Sequence, residues 1–518
     1  MIQKTRKIAY AALFTILVFA LLGWAESSWA ACVGPAQSEV VSAVAAASPG
    51  DTVEVCAGSA TWTATEACPT VVGDVNSMLC IRKGIVLKGG IDGTTTIITL
   101  SGSAARGAIR FALDADSVSR NDPVEFTGFE INSDNEAYAE GSLMIDTYPP
   151  AATIISNVKI HDNVFRNSTG TAMMVSGPVY GVAYRNTFIN CGGYMNRWMG
   201  GDSASWDIVP REYGGSAAFF FEDNTIRFEP GYTGEKSAFM TGQGAPGLVM
   251  RYNAFDLTNS DNGGELGDIH GLQSMAVTPG YTCPSGCGYS DCLPASAGSC
   301  DETQASCSQW STIKTELYGN IWSNLSNGLY LWIVHRGSWL MMFNNRVSGT
   351  GTASNPQYSQ YSCDECISEA GNPSMHIQNT YVWNNFGNDV NQSMTKRLDY
   401  CADASIAGPY IITENVDYWN FNTSTLDGST QRGINCGSAE PASSCSTGDG
   451  YWRTAASPCS TPPSTMADMK AYTQAGTFYK CTAPGTWTQY YAPYTYPHPL
   501  RNEGDNIPPA APSHLSVT

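Results

Sequence analysis

The stretch "DNGGELGDIHGLQ" sets Asp261, Glu265, Asp268, His270 and Gln273 close together, and "LYLWIVHRGSW" sets Tyr330, Trp332, His335 and Arg336 within one short run. Carboxylates and imidazoles move protons, a guanidinium clamps an anion, and phenol and indole rings offer faces on which a sugar ring stacks. Brought into one groove, these groups would suit a carbohydrate-handling site. The plainer alternatives are a solvated acidic loop or a structural calcium site built from Asp261, Glu265 and Asp268. His161 and His376 read as solvated histidines with no role. A cysteine-rich insertion at about residues 277–313 follows the strand expected to carry His270, and would rise beside it as a wall.

What must position these groups is a repeat. An Asn with an apolar residue two places later recurs at Asn163/Phe165, Asn186/Phe188, Asn224/Ile226, Asn253/Phe255, Asn320/Trp322 and Asn345/Val347, with a weaker copy at Asn384/Phe386. Three residues before the Asn stand Ile160, Ala183, Phe221, Met250, Leu317 and Met342. Two apolar columns around a freely varying position describe a short strand, a turn at Asn and a second short strand. Asparagine tolerates left-handed backbone, and its amide can bond the amide of a copy one strand spacing away. A third strand precedes each pair in "GSLMID", "GTAMMVS", "KSAFMTG", "HGLQSM" and "NGLYLWIV", with Leu143, Met173, Phe239, Leu272 and Leu329 expected to face inward. The period, roughly 23–31 residues before insertions, is that of a solenoid.

The units "VKIHDNVFRN", "VAYRNTFIN" and "LMMFNNRV", with "AVAAASPGDTVEVCAG" and "KGIVLKGGIDGTTTII" before them, resemble coils of the right-handed parallel β-helix, the pectate-lyase-like superfold, over about residues 36–425. The resemblance implies an all-β fold of three-stranded coils with an Asn ladder. It also implies that work is done on the first strand of the coil and its loops. The outward positions there would be Met144, Met174, Met240, Gln273 and Tyr330, then Asp146, Ser176, Gly242, Met275 and Trp332. A methionine stripe is more often covered than used, so the later coils are the better candidate. The Asn-Thr-Asp, paired Asp and Gly-His-Gly of polygalacturonases are missing apart from "IHG". "HRGSWLMMFNN" echoes the Arg-x-Gly-x-x-His of pectate lyases, with Met341 in place of the His and the glycine adjacent to Arg336.

Two functions follow as expectations. One is a polysaccharide lyase, in which β-elimination beside a uronate needs a cation on the carboxylate and a base at C5. Arg336 would be clamp or base, His270 base or acid, and Asp261, Glu265 and Asp268 calcium ligands, with Gln273, Tyr330, Trp332 and His335 contacting the sugar. A neutral-glycan hydrolase using Glu265 and Asp268 is a variant. The other is a non-catalytic surface or matrix protein that binds glycans or adheres to cells.

The rest of the chain bounds these readings. Residues 1–30 read as a signal peptide, with a basic start, an apolar stretch and Ser28-Trp29-Ala30 before the cut. Losing Lys4, Arg6, Lys7 and Glu26 would take the net charge from −19 to −21, which argues against nucleic acid and anionic membranes. All 17 cysteines follow the signal, as expected of disulfides in an oxidising, extracellular compartment, and their odd number leaves a thiol over. "CDEC" at 363–366 reads as a disulfide-tied loop rather than a zinc site. Residues 31–429 would form the β-helix of a monomer, begun by a capping helix over Pro35–Ser48 with Val40, Val41 and Val44 on one face. A Cys/Tyr/Pro-rich cap at 430–500 and a disordered tail at 501–518 would follow.

Overall fold

Period-two alternation interrupted every few residues by an Asn turn gives strands too short to pair with their chain neighbours, so they pair with their copies. In the computed structural model they do so in three long, mainly parallel sheets. The structure describes the chain outside residues 1–31, 71–72, 91–94, 103–106, 137–140, 148–153, 193–195, 200–209, 233–238, 244–246, 260–265, 271–311, 326–328, 332, 336, 338, 351, 355–356, 359–376, 389, 397–411, 422–431, 456–462 and 502–518. Sheet 1 holds the leading strands, from Leu79–Ile81 to Thr395–Lys396. Sheet 2 holds those before the Asn turn, from Thr52–Glu54 to Tyr418–Asn420. Sheet 3 holds those after it, from Gly58–Trp62 to Val390–Asn391. The chain visits them in rotation, as in Ile155–His161 (sheet 2), Val164–Arg166 (sheet 3), Met173–Ser176 (sheet 1) and back to Val179–Tyr184. This arrangement is compatible with a β-helix.

Both apolar columns are present in register. Ile160, Ala183, Phe221, Met250, Leu317, Met342 and Val382 pair in sequence across sheet 2. Phe165, Phe188, Ile226, Phe255, Trp322 and Val347 do so across sheet 3. They share one core, in which Phe165 stacks on Phe188 at 5.0 Å and Phe255 on Trp322 at 4.8 Å. Each such side chain buried is worth roughly 1.5–3 kcal/mol.

The asparagines form the expected ladder, with Nδ2 donating to the next Oδ1 from Asn163 through Asn186, Asn224, Asn253, Asn320 and Asn345 to Asn385 at 2.8–3.0 Å. Two details differ from the sequence reading. The left-handed residue is the one before the ladder Asn: Asp162, Arg185, Asp223, Tyr252, Gly319, Asn344 and Asn384 all have φ between 51° and 69°. The ladder Asn itself must keep its side chain directed into the turn, where its amide satisfies carbonyls of its own and the preceding coil. For the same reason the last copy is Asn385, and Asn384 occupies the left-handed place. Gly319 is the one glycine of this column, because a Cβ there would lie 2.5 Å from the Tyr252 ring.

Sheet 1 departs further. Leu143 pairs with Met173, but the next strand is Asn196–Met199, which sequence alternation did not reveal, and then Met240–Gln243 and Asp268–His270. Met240 therefore sits in the inward column of Leu143 and Met173, and lies in the core rather than outward. Leu329–Leu331 pairs with Thr352–Ser354 in a separate two-stranded sheet. The strand that continues sheet 1 is Val334–His335.

The N-terminal helix is Gln37–Ala46, with Val40 and Val44 buried and Val41 partly so. The described residues between 432 and 501 form a four-stranded sheet (Ile434–Gly437, Gly450–Thr454, Gly476–Ala483, Thr486–Tyr491) and a helix, Met466–Gln474, capped by Thr465. This unit lies along the outer face of sheet 2. There Tyr318, Phe343, Tyr381 and Trp383 meet Trp452, Phe478 and Tyr491 in a second core, and Phe343 stacks on Trp383 at 4.3 Å. Arg501, assigned to the tail on sequence, is tied to Glu222 and Asp223. Disulfides join Cys32–Cys56, Cys68–Cys80 and Cys445–Cys481, while Cys191 is a free, buried thiol whose pKa burial pushes up to about 12.

Candidate functional site

Of the residues first singled out, Asp261, Glu265, Gln273, Trp332, Arg336 and the 277–313 insertion up to residue 311 lie outside the described residues, as do Met275, "CDEC" and His376. Asp268 and His270 stand two apart on one strand of sheet 1. The register puts Asp268 in the column of Arg110, Met144, Met174 and Thr241, and His270 in that of Asp146 and Ser176. This outward face is not an open groove where it is described. Met144, Met174, Thr241 and Asp268 are all at most 4% exposed, and Arg110 and Asp146 form a buried ion pair. The methionines are covered, as their chemistry suggested. His335 is wholly buried and pairs in register with the core residue Ile269, and its Nε2 lies 3.5 Å from Thr380 Oγ1. It cannot touch a sugar. Tyr330 belongs to the separate two-stranded sheet, opposite Ala353, away from the stack on which it was expected. Of the three expected calcium ligands only Asp268 is described, and among the described residues no three His, Cys, Asp or Glu side chains converge to hold a metal.

An open polar concavity lies elsewhere, at the corner between sheets 2 and 3. The left-handed column presents Asp162, Arg185, Asp223 and Tyr252 at successive coils, about 4.8 Å apart. Their backbone costs roughly 1–2 kcal/mol each, met by the ladder that fixes the turn. The Met466–Gln474 helix runs beside this column: Lys470 pairs with Asp223 at 2.6 Å, Gln474 Nε2 donates to Tyr252 OH at 2.7 Å, and Asn344 Nδ2 donates to Thr473 Oγ1 at 3.2 Å. Between helix and corner remains a groove of about 350 Å³, lined by Arg185, Asp223, Asn224, Thr225, Tyr252, Ala254, Met466, Lys470, Tyr496 and Arg501.

The chain matches no family model, no curated protein and no solved structure. The site must therefore be read from its own chemistry.

Asp223 is the only carboxylate among the described lining residues. Burial alone would raise its pKa, but Lys470, the Tyr496 hydroxyl donating at 2.7 Å and Arg501 at 2.6 Å hold it below the usual range. It stays ionised and serves as an anchor, not as a proton donor. Behind it, Glu222 and Arg251 form a fully buried pair at 2.6 Å. Arg251 also donates to the Tyr318 hydroxyl and to the carbonyls of Tyr494 and Thr495, and His498 N and Arg501 donate to Glu222. Toward the N-terminal coils, Arg185 grips Asp162 through Nε at 2.8 Å and Nη2 at 2.5 Å. His161, expected to be solvated, is buried between Asp162 and Glu125 and stacks on Tyr184 at 4.6 Å. Burial opposes its charge, yet the two carboxylates raise its pKa, while Glu125 falls to about 2 against its own burial.

Sequence reading passed over this corner because it treated the positions beside the ladder Asn as free. A signal was present: "HDN", "YRN", "EDN" and "RYN" put charged or aromatic side chains two and one residues before each Asn, on faces the period places outward. The second Asn of "NVFRN" and "NTFIN" was legible too. Asn167 and Asn190 are left-handed and make a further ladder with Asn132 at 3.0–3.1 Å.

Proposed function

We propose that this is an extracellular protein, coiled as a right-handed parallel β-helix of the pectate-lyase-like kind, that binds polysaccharide at the corner groove without cleaving it. The observation that carries the reading is the groove's make-up: an open concavity with one partly exposed tyrosine, Tyr496, several hydrogen-bonding groups and a carboxylate locked in ion pairs. Such a site can hold a sugar and has no group in the described lining poised to move a proton. The disulfides suit an oxidising compartment, and no helix among the described residues is long and apolar enough to cross a membrane.

A second reading, the lyase, is favoured by Asp268 and His270 sharing one parity on a sheet 1 strand. The buried face around Asp268 counts against it. One experiment separates the two: a glycan panel scored both for binding and for new unsaturated-uronate absorbance, with and without calcium. Binding without absorbance is expected. Calcium-dependent absorbance would overturn the binding-only reading, and neither signal on any glycan would overturn both.

A further inference from the structure

We propose that the corner groove is a site for an oxyanion carried on a sugar ring, a uronate carboxylate or a sugar sulfate ester, which joins the coil stack to the C-terminal unit. The sugar half rests on the polysaccharide reading; the oxyanion half does not. On a chain of net charge −19 the lining and its ion-pair partners hold four cations, Arg185, Lys470, Arg501 and Arg251, against three carboxylates, Asp162, Asp223 and Glu222, an excess of one positive charge. Local charge of this sign inside an acidic surface draws an anion inward and repels it elsewhere.

The donors are in place. Arg501, its guanidinium over the Tyr184 ring at 4.7 Å, uses Nη1 for both Glu222 and Asp223, at 2.8 and 2.6 Å, and among the described residues nothing else bonds its Nε and Nη2. Lys470 meets Asp223 Oδ1 with one of its three N–H groups. Both cations lie near the ring of Tyr496, Lys470 at 4.9 Å and Arg501 at 5.8 Å, so the aromatic face and the charge belong to one surface. Tyr252, buried beneath it, packs edge-on against Tyr496 at 4.8 Å and is held by Gln474, so Tyr496 is the aromatic face left to a ligand, and Met466 supplies an apolar patch for a sugar's C–H face. An interface whose only purpose was docking would be expected to close on itself; here the packing stops short and leaves room for about one monosaccharide.

The groove is also bipartite. Arg185, Asp223, Asn224, Thr225, Tyr252 and Ala254 come from the coils; Met466, Lys470, Tyr496 and Arg501 come from the C-terminal unit. A ligand held by both halves must therefore stabilise their docking.

The test is calorimetric titration of the full chain with trigalacturonate, with a 6-sulfated galactose disaccharide and with uncharged lactose. Lys470→Gln and Arg501→Gln are run beside the unmodified protein, and a far-UV spectrum checks each fold. At least one of the two anionic sugars should bind, about tenfold more tightly than lactose, and weaken with salt. Which of the two binds identifies carboxylate or sulfate as the oxyanion. Lys470→Gln, at the partly exposed end of the cluster, should cost about tenfold while keeping the native spectrum. Equal affinity for lactose, or unchanged affinity in a folded Lys470→Gln, would overturn the proposal even if long polysaccharides bind. Binding of the small anionic sugars with no retention of any polysaccharide would leave the oxyanion site standing and remove the polysaccharide reading.

Discussion

The outward face of sheet 1 and the corner between sheets 2 and 3 are built the same way, by stacking side chains one strand spacing apart, yet the first is closed where it is described and the second is open. On sheet 1, polar positions such as Asp146, Thr241 and Asp268 are buried among their neighbours. At the corner, left-handed backbone lifts Arg185 and Asp223 off the sheet plane, Tyr252 is buried under the C-terminal unit, and the C-terminal helix leaves Thr225 and Ala254 exposed. Outward parity is thus necessary for a site but does not make one. What packs over the column decides.

The largest effect should come from the buried charge that holds the corner's cover in place. Arg251→Ala leaves the fully buried Glu222 with Arg501 as its one remaining ion-pair partner among the described residues, and should cost about 3–5 kcal/mol in urea unfolding. Limited proteolysis should then release the 432–501 unit before the coils are cut. If both were lost together, the corner and its cover would form a single cooperative unit with the stack.

Acid should separate the two regions next. His498 packs on Phe220 and Tyr494 and faces Glu222, Arg251 and Arg501. Burial chiefly, with the two arginines, depresses its pKa from 6.5 to about 4, against Glu222. Its contribution is complete above about pH 6.5 and lost as pH falls toward 4, on the order of 3 kcal/mol. Protease sensitivity of the C-terminal unit should therefore rise across that window, and His498→Phe should flatten the profile. His161 works in the opposite sense: with its pKa raised, its stabilisation is present below about 6.5 and lost as pH climbs through the higher folded value. Unchanged proteolysis between pH 7 and 4 would show that His498 is not what couples cover to corner.

Asn224→Leu tests the ladder beneath the corner. It removes the acceptor for Asn186 N at 2.9 Å and Asn186 Nδ2 at 3.0 Å, leaving buried donors unpaired. A loss of about 2 kcal/mol is expected by denaturant unfolding. A change below about 0.5 kcal/mol, the ordinary surface range, would contradict the ladder's role in holding Arg185, Asp223 and Tyr252 in their left-handed turns.

The smallest effects should fall on His270, on sheet 1, and on Arg336, which lies outside the described residues. His270→Ala and Arg336→Ala are expected to leave glycan affinity, measured by the same calorimetry, within a factor of about two, inside the ordinary surface range. Loss of binding or of an eliminase product in either variant would move function back to sheet 1.

The sequence alone determined the scaffold. Two apolar columns with an Asn between them can satisfy backbone and side chains only by stacking in register. Every column residue from Ile160 to Met342 and from Phe165 to Val347 stands where the period put it. It determined less in sheet 1, where "NRWM" carries no alternation and the register slipped by one residue at Met240. It did not determine which surface stays open. The groove joins Arg185 and Asp223 to Lys470, Tyr496 and Arg501, and the Arg501–Asp223 contact spans 278 residues. The 432–501 unit has no period to align, and its seat is set by aromatic packing of Trp452, Phe478 and Tyr491 on sheet 2 together with the buried Glu222–Arg251 pair. Local period fixes which way a side chain points; only long-range packing decides whether anything lies on top of it.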